Sequence, residues 1–255
     1  MSDSFPCDRP HPSQFGGEAF KKASWLESDA VILPIPFERT TSYGRGTRNG
    51  PAELLVASAQ VELWDEEMWA DVHERGMFTA SELDLSTVSS PHAMRRIQDV
   101  AGKVVDAGKF LITLGGEHSI TPPLVAATSG RTKGLSVLQI DAHADLRDHY
   151  MDDPNSHASA MPRTVEHAPV VQVAIRNISD SEVEALPQLG DRARIFYDWN
   201  MRDDPNWIDR AVSTLADTVY ITIDLDGLDP ALMPAVGQPG PGGLSWRVLW
   251  SLVRR

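Results

Sequence analysis

Three short stretches of the sequence each place acidic or imidazole side chains directly after a run of apolar residues. They read Gly-Gly-Glu-His at 115–118, Asp-Ala-His-Ala-Asp at 141–145 and Asp-Leu-Asp at 224–226. Aspartate and histidine supply the oxygen and nitrogen atoms that bind divalent metals. Because residues two apart in an extended chain point to the same side, the ligands of the second and third stretches can converge on one point. The pattern therefore predicts a metal site.

The charge of these side chains predicts two divalent ions rather than one. The candidate ligands are His118, Asp141, His143, Asp145, Asp224 and Asp226. Four aspartates at contact distance could not all stay ionised without cations, and two divalent ions balance their charge. A set rich in carboxylates, with two imidazoles and no thiolate, favours Mn²⁺, while Fe²⁺, Co²⁺ and Zn²⁺ stay as alternatives. Two ions about 3.5 Å apart would lower the pKa of a bridging water, which predicts metal-assisted hydrolysis.

The apolar runs predict strands that are buried on both faces of a parallel sheet. The predicted strands are Ala30–Leu33, Phe110–Leu114, Ser136–Ile140, Val170–Ile175, Arg194–Tyr197 and Val219–Ile223, with a weaker one near Met77–Leu83. Helical spacing and capping residues predict helices that begin at Ser90, Asp204 and Ser245. This alternation predicts an α/β fold with three layers, α/β/α, around a mostly parallel central sheet. Ligands of such sheets bind beyond the carboxyl ends of the strands, where all three stretches fall.

Composition limits the other possibilities. The 255 residues are 42% hydrophobic and 23% charged, which is typical of a globular protein and predicts a single domain over residues 1–255. A net charge of −13 and the lack of a polybasic tract argue against nucleic acid and membrane surfaces as partners. Cys7 is the single cysteine and no apolar run reaches membrane-spanning length, so we expect a cytoplasmic protein.

In their order and separation, the three stretches resemble the motifs of the ureohydrolase family, which includes arginase and agmatinase. The resemblance extends to Ser156-His157-Ala158, to Ile175-Arg176 and to residues 36–51, so it covers nearly the whole chain. It implies an arginase-like fold and hydrolysis of a guanidino group to urea and an amine. Its cofactor would be a pair of manganese ions, with no organic cofactor.

The resemblance also implies a role for each candidate residue. One manganese ion would be bound by His118 and Asp145, the other by His143 and Asp226, and both by Asp141 and Asp224. Asp145 would in addition orient the hydroxide that attacks the guanidinium carbon. His157 matches the proton-shuttling histidine of the family, and an imidazole of ordinary pKa about 6.5 can protonate a departing amine near neutral pH.

The substrate implied by the resemblance is a small cationic guanidino compound. Residues 145–150, followed by Ser156-His157-Ala158, are similar to the agmatinase branch, and the arginase-type Asn and Ser residues that bind an α-amino acid are not evident. Hydrolysis of agmatine to putrescine and urea is the leading prediction, with guanidinobutyrate and related compounds as alternatives. Members of the family generally assemble as trimers or hexamers, so we expect a homo-oligomer.

Two departures from the family pattern stand out. Gln238 occupies a position where the family usually has threonine, and this could change the affinity for the guanidinium group. The family also continues beyond the position of Arg255 into a strand, a glutamate that pairs with the guanidinium, and a helix. The resemblance thus implies a fragment without its C-terminal strand and helix, or an impaired enzyme, with weak manganese binding and slow turnover.

Other classes of protein remain open from the sequence alone. One is another metal-dependent hydrolase of similar fold, acting on a formimino group or, like a deacetylase, using a single zinc ion. A count of metal ions per chain would separate these from a two-metal ureohydrolase. A second is a non-catalytic relative that keeps the fold and the ions, which a urea assay with agmatine and Mn²⁺ would reveal.

Overall fold

The computed structural model describes residues 9–17 and 24–255, so Cys7 lies outside the described residues. The chain divides into two compact units, and each is a parallel α/β structure. The first unit comprises Met1–Glu38 and Gly46–Ile120, and the second comprises Arg39–Arg45 and Thr121–Arg255. In the described part of the chain, no helix combines the length and the apolar character needed to cross a membrane.

The first unit contains a three-stranded parallel sheet in the order β4-β1-β5. Its strands are β1 (Ala30–Ile35), β4 (Met77–Thr79) and β5 (Phe110–Gly115), and a short antiparallel pair is formed by β2 (Trp64–Asp65) and β3 (Ala70–Asp71). Its helices are α1 (Gly50–Ser58) and α2 (Ser90–Asp106), with 3₁₀ turns at Thr47–Asn49, Val72–Arg75 and His118–Ile120. Strand β1 is buried from Val31 to Ile35, as expected of a central strand in a parallel sheet.

The second unit contains a four-stranded parallel sheet in the order β8-β7-β6-β9. Its strands are β6 (Leu135–Ile140), β7 (Val170–Ile175), β8 (Ala193–Tyr197) and β9 (Thr218–Ile223). Its helices are α3 (Thr121–Ser129), α4 (Ala160–Val165), α5 (Asp180–Leu189), α6 (Asp198–Met201), α7 (Trp207–Val212) and α8 (Trp246–Val253). Further 3₁₀ turns span His157–Ser159, Gly190–Arg192 and Leu225–Gly227.

Both faces of this second sheet are covered by helices. Every residue of β6 and β7 is buried, and successive residues of β6 enter different apolar clusters. Val137 packs in a cluster with residues of α3 and α4, whereas Leu138 packs in a cluster with residues of α7 and α8. The predicted α/β/α layering is therefore present around this sheet, because alternate side chains of a strand point to opposite faces.

The α/β fold with parallel sheets confirms the fold class predicted from the sequence. Each predicted strand is present within about two residues of its expected bounds, except that the weak candidate near Met77–Leu83 is limited to β4. Helix α2 begins at Ser90 with Ser89 as its N-cap, one residue before the N-cap predicted at Ser90. Ser245 caps α8 by accepting a hydrogen bond from Val248 N–H. The helix predicted from Asp204 begins later, at Trp207, because residues 204–206 form a turn closed by Trp207 N–H and Asp204 O. That residues 1–255 form one domain stays a prediction.

Candidate metal centre

Two predicted ligand stretches of the second unit leave its sheet side by side. Strand β6 ends at Ile140 and β9 ends at Ile223, and these two residues are partners in the parallel register. Asp141 and Asp224 are the next residues of each strand, and Asp224 N–H donates to Ile140 O at 2.9 Å. The register of one strand pair thus delivers two carboxylates to the same edge of the sheet.

Three of the candidate ligands form a compact group at this edge. One ligand atom from each of Asp141, His143 and Asp226 lies within 4.8 Å of the other two. His143 Nδ1 lies 3.1 Å from Asp226 Oδ2 and 3.7 Å from Asp141 Oδ1. Both carboxylates are buried and the imidazole is half-buried. Two buried carboxylates and an imidazole fit a divalent cation of the Mn²⁺ type, which accepts mixed oxygen and nitrogen ligands.

The electrostatics of this group also favour a cation. Burial lowers the pKa of His143, but the hydrogen bonds and negative charges of Asp141 and Asp226 outweigh it and raise that pKa to about 11. The two carboxylates therefore hold a proton on the imidazole at neutral pH. A metal ion that binds through this nitrogen must displace that proton, because only the neutral imidazole is a ligand.

Backbone N–H groups orient the carboxylates. His143 N–H donates to Asp141 Oδ1 at 2.7 Å, and Ala142 N–H donates to Asp226 Oδ1 at 3.0 Å. Asp226 N–H in turn donates to Asp224 Oδ1 at 3.1 Å. The two loops approach so closely that a Cβ on Gly227 would lie 2.8 Å from Asp141 N. Only glycine allows this contact without displacing the backbone.

The remaining predicted ligands are placed as follows. Asp145 is buried at the end of the 141–145 loop with a φ of 51°, a left-handed conformation that aspartate tolerates better than most residues. Among the described residues, no three-residue ligand group of the kind formed by Asp141, His143 and Asp226 includes Asp145. His118 belongs to the first unit, where it is buried in the 3₁₀ turn after β5. The assignment of both residues to the metal centre stays a prediction.

His157 is held by two hydroxyl groups that the sequence reasoning did not assign. Thr40 Oγ1 lies 3.0 Å from His157 Nδ1 and also accepts the His157 backbone N–H at 3.1 Å. Ser42 Oγ lies 3.2 Å from His157 Nε2, and the Tyr150 ring meets the imidazole edge to face. Thr40 and His157 are 117 residues apart in the chain, so no local spacing could have revealed the contact.

Arg176 links residues 237–240, which include Gln238, to the loop at Asp226 through hydrogen bonds. Its Nη2 donates to Asp226 O at 2.6 Å and to Gly240 O at 3.1 Å. Gly44 N–H donates to Gly237 O at 3.1 Å, so the segment is also held from residues 39–45. Gln238 itself is half-buried. Arg176 was noted in the sequence only as part of a motif, and its link between the two loops is a finding of the structure.

Buried aspartates and a histidine beyond the strand ends of a parallel α/β fold are the arrangement expected of a metal-binding enzyme. A model of the arginase family matches residues 28–255. The chain therefore belongs to the arginase family and is a ureohydrolase, a hydrolase that acts on guanidino C–N bonds.

Individual relatives agree with this assignment. The N(1)-aminopropylagmatine ureohydrolase of Synechocystis sp. is 37% identical over 243 residues, which cover 92% of this chain and 78% of the relative. The agmatinase of Bacillus anthracis is 30% identical over 241 residues, with coverage of 92% and 81%. Among solved structures, the agmatine ureohydrolase of Thermoplasma volcanium superposes with a TM-score of 0.83 at 29% identity, over 91% of this chain and 78% of that chain. The agmatinase-like resemblance seen in the sequence is confirmed.

Proposed function

We propose that this chain hydrolyses agmatine to putrescine and urea with two manganese ions bound. The observation that carries the proposal is the group formed by Asp141, His143 and Asp226, whose ligand atoms lie within 4.8 Å of one another. Membership of the arginase family supports the reaction class, and the agmatinase-like relatives support the guanidino-amine substrate.

The proposed ligands are those that the sequence indicates: His118, Asp141, His143, Asp145, Asp224 and Asp226. When bound, the ions supply a water whose pKa is low enough for attack near neutral pH. The backbone donors of Ala142 and His143 keep the carboxylates of Asp226 and Asp141 in place. Asp145 would orient the attacking water, and its buried position in the same loop is compatible with that role.

His157 is proposed to deliver the proton that the departing amine requires. Its two ring nitrogens each face a hydroxyl, Thr40 Oγ1 at Nδ1 and Ser42 Oγ at Nε2. A hydroxyl can donate or accept a hydrogen bond, so both the neutral and the protonated imidazole keep their partners. This property suits a group that must lose and regain a proton in each turnover.

A second substrate, N(1)-aminopropylagmatine, is favoured by one observation. The relative named for that activity is 37% identical to this chain, whereas the agmatinase of Bacillus anthracis is 30% identical. Both substrates carry the same guanidino group, and they differ in the length and charge of the amine. The chemistry proposed above applies to either.

A urea assay combined with a metal count tests the proposal. The manganese-loaded chain is offered agmatine, N(1)-aminopropylagmatine, guanidinobutyrate and formiminoglutamate, and bound metal is measured by elemental analysis. At saturating Mn²⁺ we expect two manganese ions per chain and slow release of urea from agmatine, with the Asp141→Asn variant as the inactive control. One ion per chain, or activity on formiminoglutamate alone, would contradict the proposal.

We further propose a cytoplasmic homo-oligomer, a trimer or hexamer. The family resemblance supports the assembly, and the acidic composition with a single cysteine supports the compartment. Sedimentation velocity on the manganese-loaded protein measures the assembly, and a monomer at micromolar concentration would contradict it.

A further inference from the structure

Two glutamines are fully buried inside the second sheet, behind the candidate metal centre. Gln139 lies on β6 and Gln172 lies opposite it on β7, and both side chains are 0% exposed. Amide side chains seldom occupy such positions, because every polar group that loses its water must find another partner. Aliphatic residues would pack there without this cost, so these two amides call for a functional explanation.

The hydrogen bonds of the two amides run in one direction, toward Asp141. Gln172 Nε2 donates to Ala144 O at 2.6 Å and to Gln139 Oε1 at 2.5 Å. Gln139 Nε2 then donates to Asp141 Oδ2 at 2.8 Å and to His143 O at 3.3 Å. We call this chain of donors the amide relay.

The surroundings determine this direction. Each Nε2 faces two oxygen atoms, so rotating either amide by 180° would place oxygen against oxygen. Gln172 Oε1 is buried and has no hydrogen-bond partner among the described residues. An unpaired buried acceptor destabilises the fold. Gln172 keeps this unpaired oxygen because Nε2, at the other end of the same amide, makes both donations to Gln139 and Ala144.

The relay acts on the ligand loop at three points. It binds one oxygen of Asp141, while the other oxygen accepts the backbone N–H of His143. It also binds the carbonyl groups of His143 and Ala144, so the backbone between the candidate ligands is held as well. A neutral donor suits this position, since it holds the Asp141 carboxylate by a hydrogen bond and adds no charge that would repel a cation.

We propose that Gln139 and Gln172 are positioning residues that preset Asp141 and the 141–145 loop for metal binding. This inference rests on the proposed manganese centre. Removal of groups that orient metal ligands typically weakens metal binding about tenfold to 100-fold. Because Gln172 acts on Asp141 through Gln139, the two residues should behave as one unit toward the metal, in addition to their separate contacts with the loop backbone.

The test measures manganese affinity by isothermal titration calorimetry on the full chain and on Gln139→Met, Gln172→Met and the double variant. Methionine keeps the size of glutamine and removes both polar groups. We expect each single variant to bind manganese about tenfold to 100-fold more weakly. The double variant should lose far less than the product of the two single losses, as coupled residues do.

Two further variants separate positioning from packing. Gln139→Glu keeps the shape of the side chain but turns the donor toward Asp141 into an acidic group, so we expect weakened binding with a retained circular dichroism spectrum. Gln98→Met makes the same substitution on an exposed face of α2 and should bind manganese like the parent chain. Gln172→Met also removes the unpaired acceptor, which partly offsets the loss of its hydrogen bonds. The melting temperature of this variant should therefore fall less than its loss of manganese affinity would suggest.

The outcomes distinguish the relay from the centre itself. If the parent chain binds no manganese, the proposed centre is wrong, and the inference falls with it. If the parent binds manganese and the methionine variants match it within twofold, the centre stands and the relay is wrong. The relay would also be wrong if the losses of manganese affinity in the two single variants multiplied in the double variant. It would likewise be wrong if each loss of affinity only followed a fall in melting temperature.

Discussion

The ligand group and His157 both belong to the second unit, but they are held in different ways. Asp141 and Asp226 follow neighbouring strands, and their carboxylates accept the backbone N–H groups of His143 and Ala142, which both belong to the 141–145 loop. His157 lies in a 3₁₀ turn, and hydroxyl groups from residues more than 100 positions away contact its ring. The ligand carboxylates are therefore held by N–H groups that can only donate, whereas the ring of His157 has hydroxyl partners that can both donate and accept.

Loss of a ligand carboxylate should have the largest effect, because it removes metal binding itself. For Asp226→Asn we expect manganese affinity to fall by more than about 100-fold, beyond the usual effect of a residue that only orients a ligand. Urea release should fall with it. Calorimetric titration with Mn²⁺ measures the affinity, and Asp217→Asn, on an exposed residue of the same unit, is the control. Equal affinities of parent and Asp226→Asn would remove Asp226 from the centre.

Loss of His157 should separate proton delivery from metal binding. We expect His157→Asn to lower the rate of urea release by about 10²- to 10⁴-fold, the usual contribution of general acid–base catalysis. Manganese affinity should stay within about twofold of the parent, because His157 is proposed to carry a proton and not a metal ion. The exposed His167, changed in His167→Asn, provides the matched control. A parallel loss of affinity would make His157 part of the ligand group.

The raised pKa of His143 predicts that manganese binding releases a proton. In the metal-free protein this pKa is about 11, above its ordinary value of 6.5. The protonated imidazole therefore stabilises the folded, metal-free protein in full below pH 6.5, and this stabilisation is lost as the pH rises through about 11. Manganese affinity should rise by up to about tenfold per pH unit below that value, as each binding event displaces one proton. Titrations in buffers of different ionisation enthalpy count the protons, and a count of zero would refute the prediction.

Removal of one hydroxyl beside His157 should have the smallest effect. Thr40→Val keeps the shape of the side chain and deletes the hydroxyl that faces His157 Nδ1 and accepts the His157 backbone N–H. Loss of the contact with the ring should lower the rate about twofold to tenfold. Thr40→Ser should restore most of the rate, and manganese affinity should not change in either variant. The measurement is urea release as a function of pH. A loss that serine does not restore would indicate a packing role for the threonine methyl group.

The sequence predicted those parts of the fold and of the site that depend on neighbouring residues. Apolar runs located the strands, and the residue types after Ile140 and Ile223 indicated a metal site, because both signals are local. Thr40 and the pairing of the two relay glutamines were not found, since Thr40 contacts His157 117 residues away and Gln172 contacts Gln139 and Ala144 33 and 28 residues away in the chain. A hydroxyl or an amide also carries little chemical signature of its own, unlike a cluster of aspartates.

By itself, the sequence determined which side chains could bind a metal and at which strand ends they would lie. This follows from the two-residue repeat of a strand and from the chemistry of carboxylate and imidazole groups. The tertiary structure alone decided that Ile140 would stand opposite Ile223, which brings Asp141 beside Asp224. It also decided that Gln139 would face Gln172. Strand register depends on the packing of the whole sheet, and a displacement of one residue would turn every side chain to the other face.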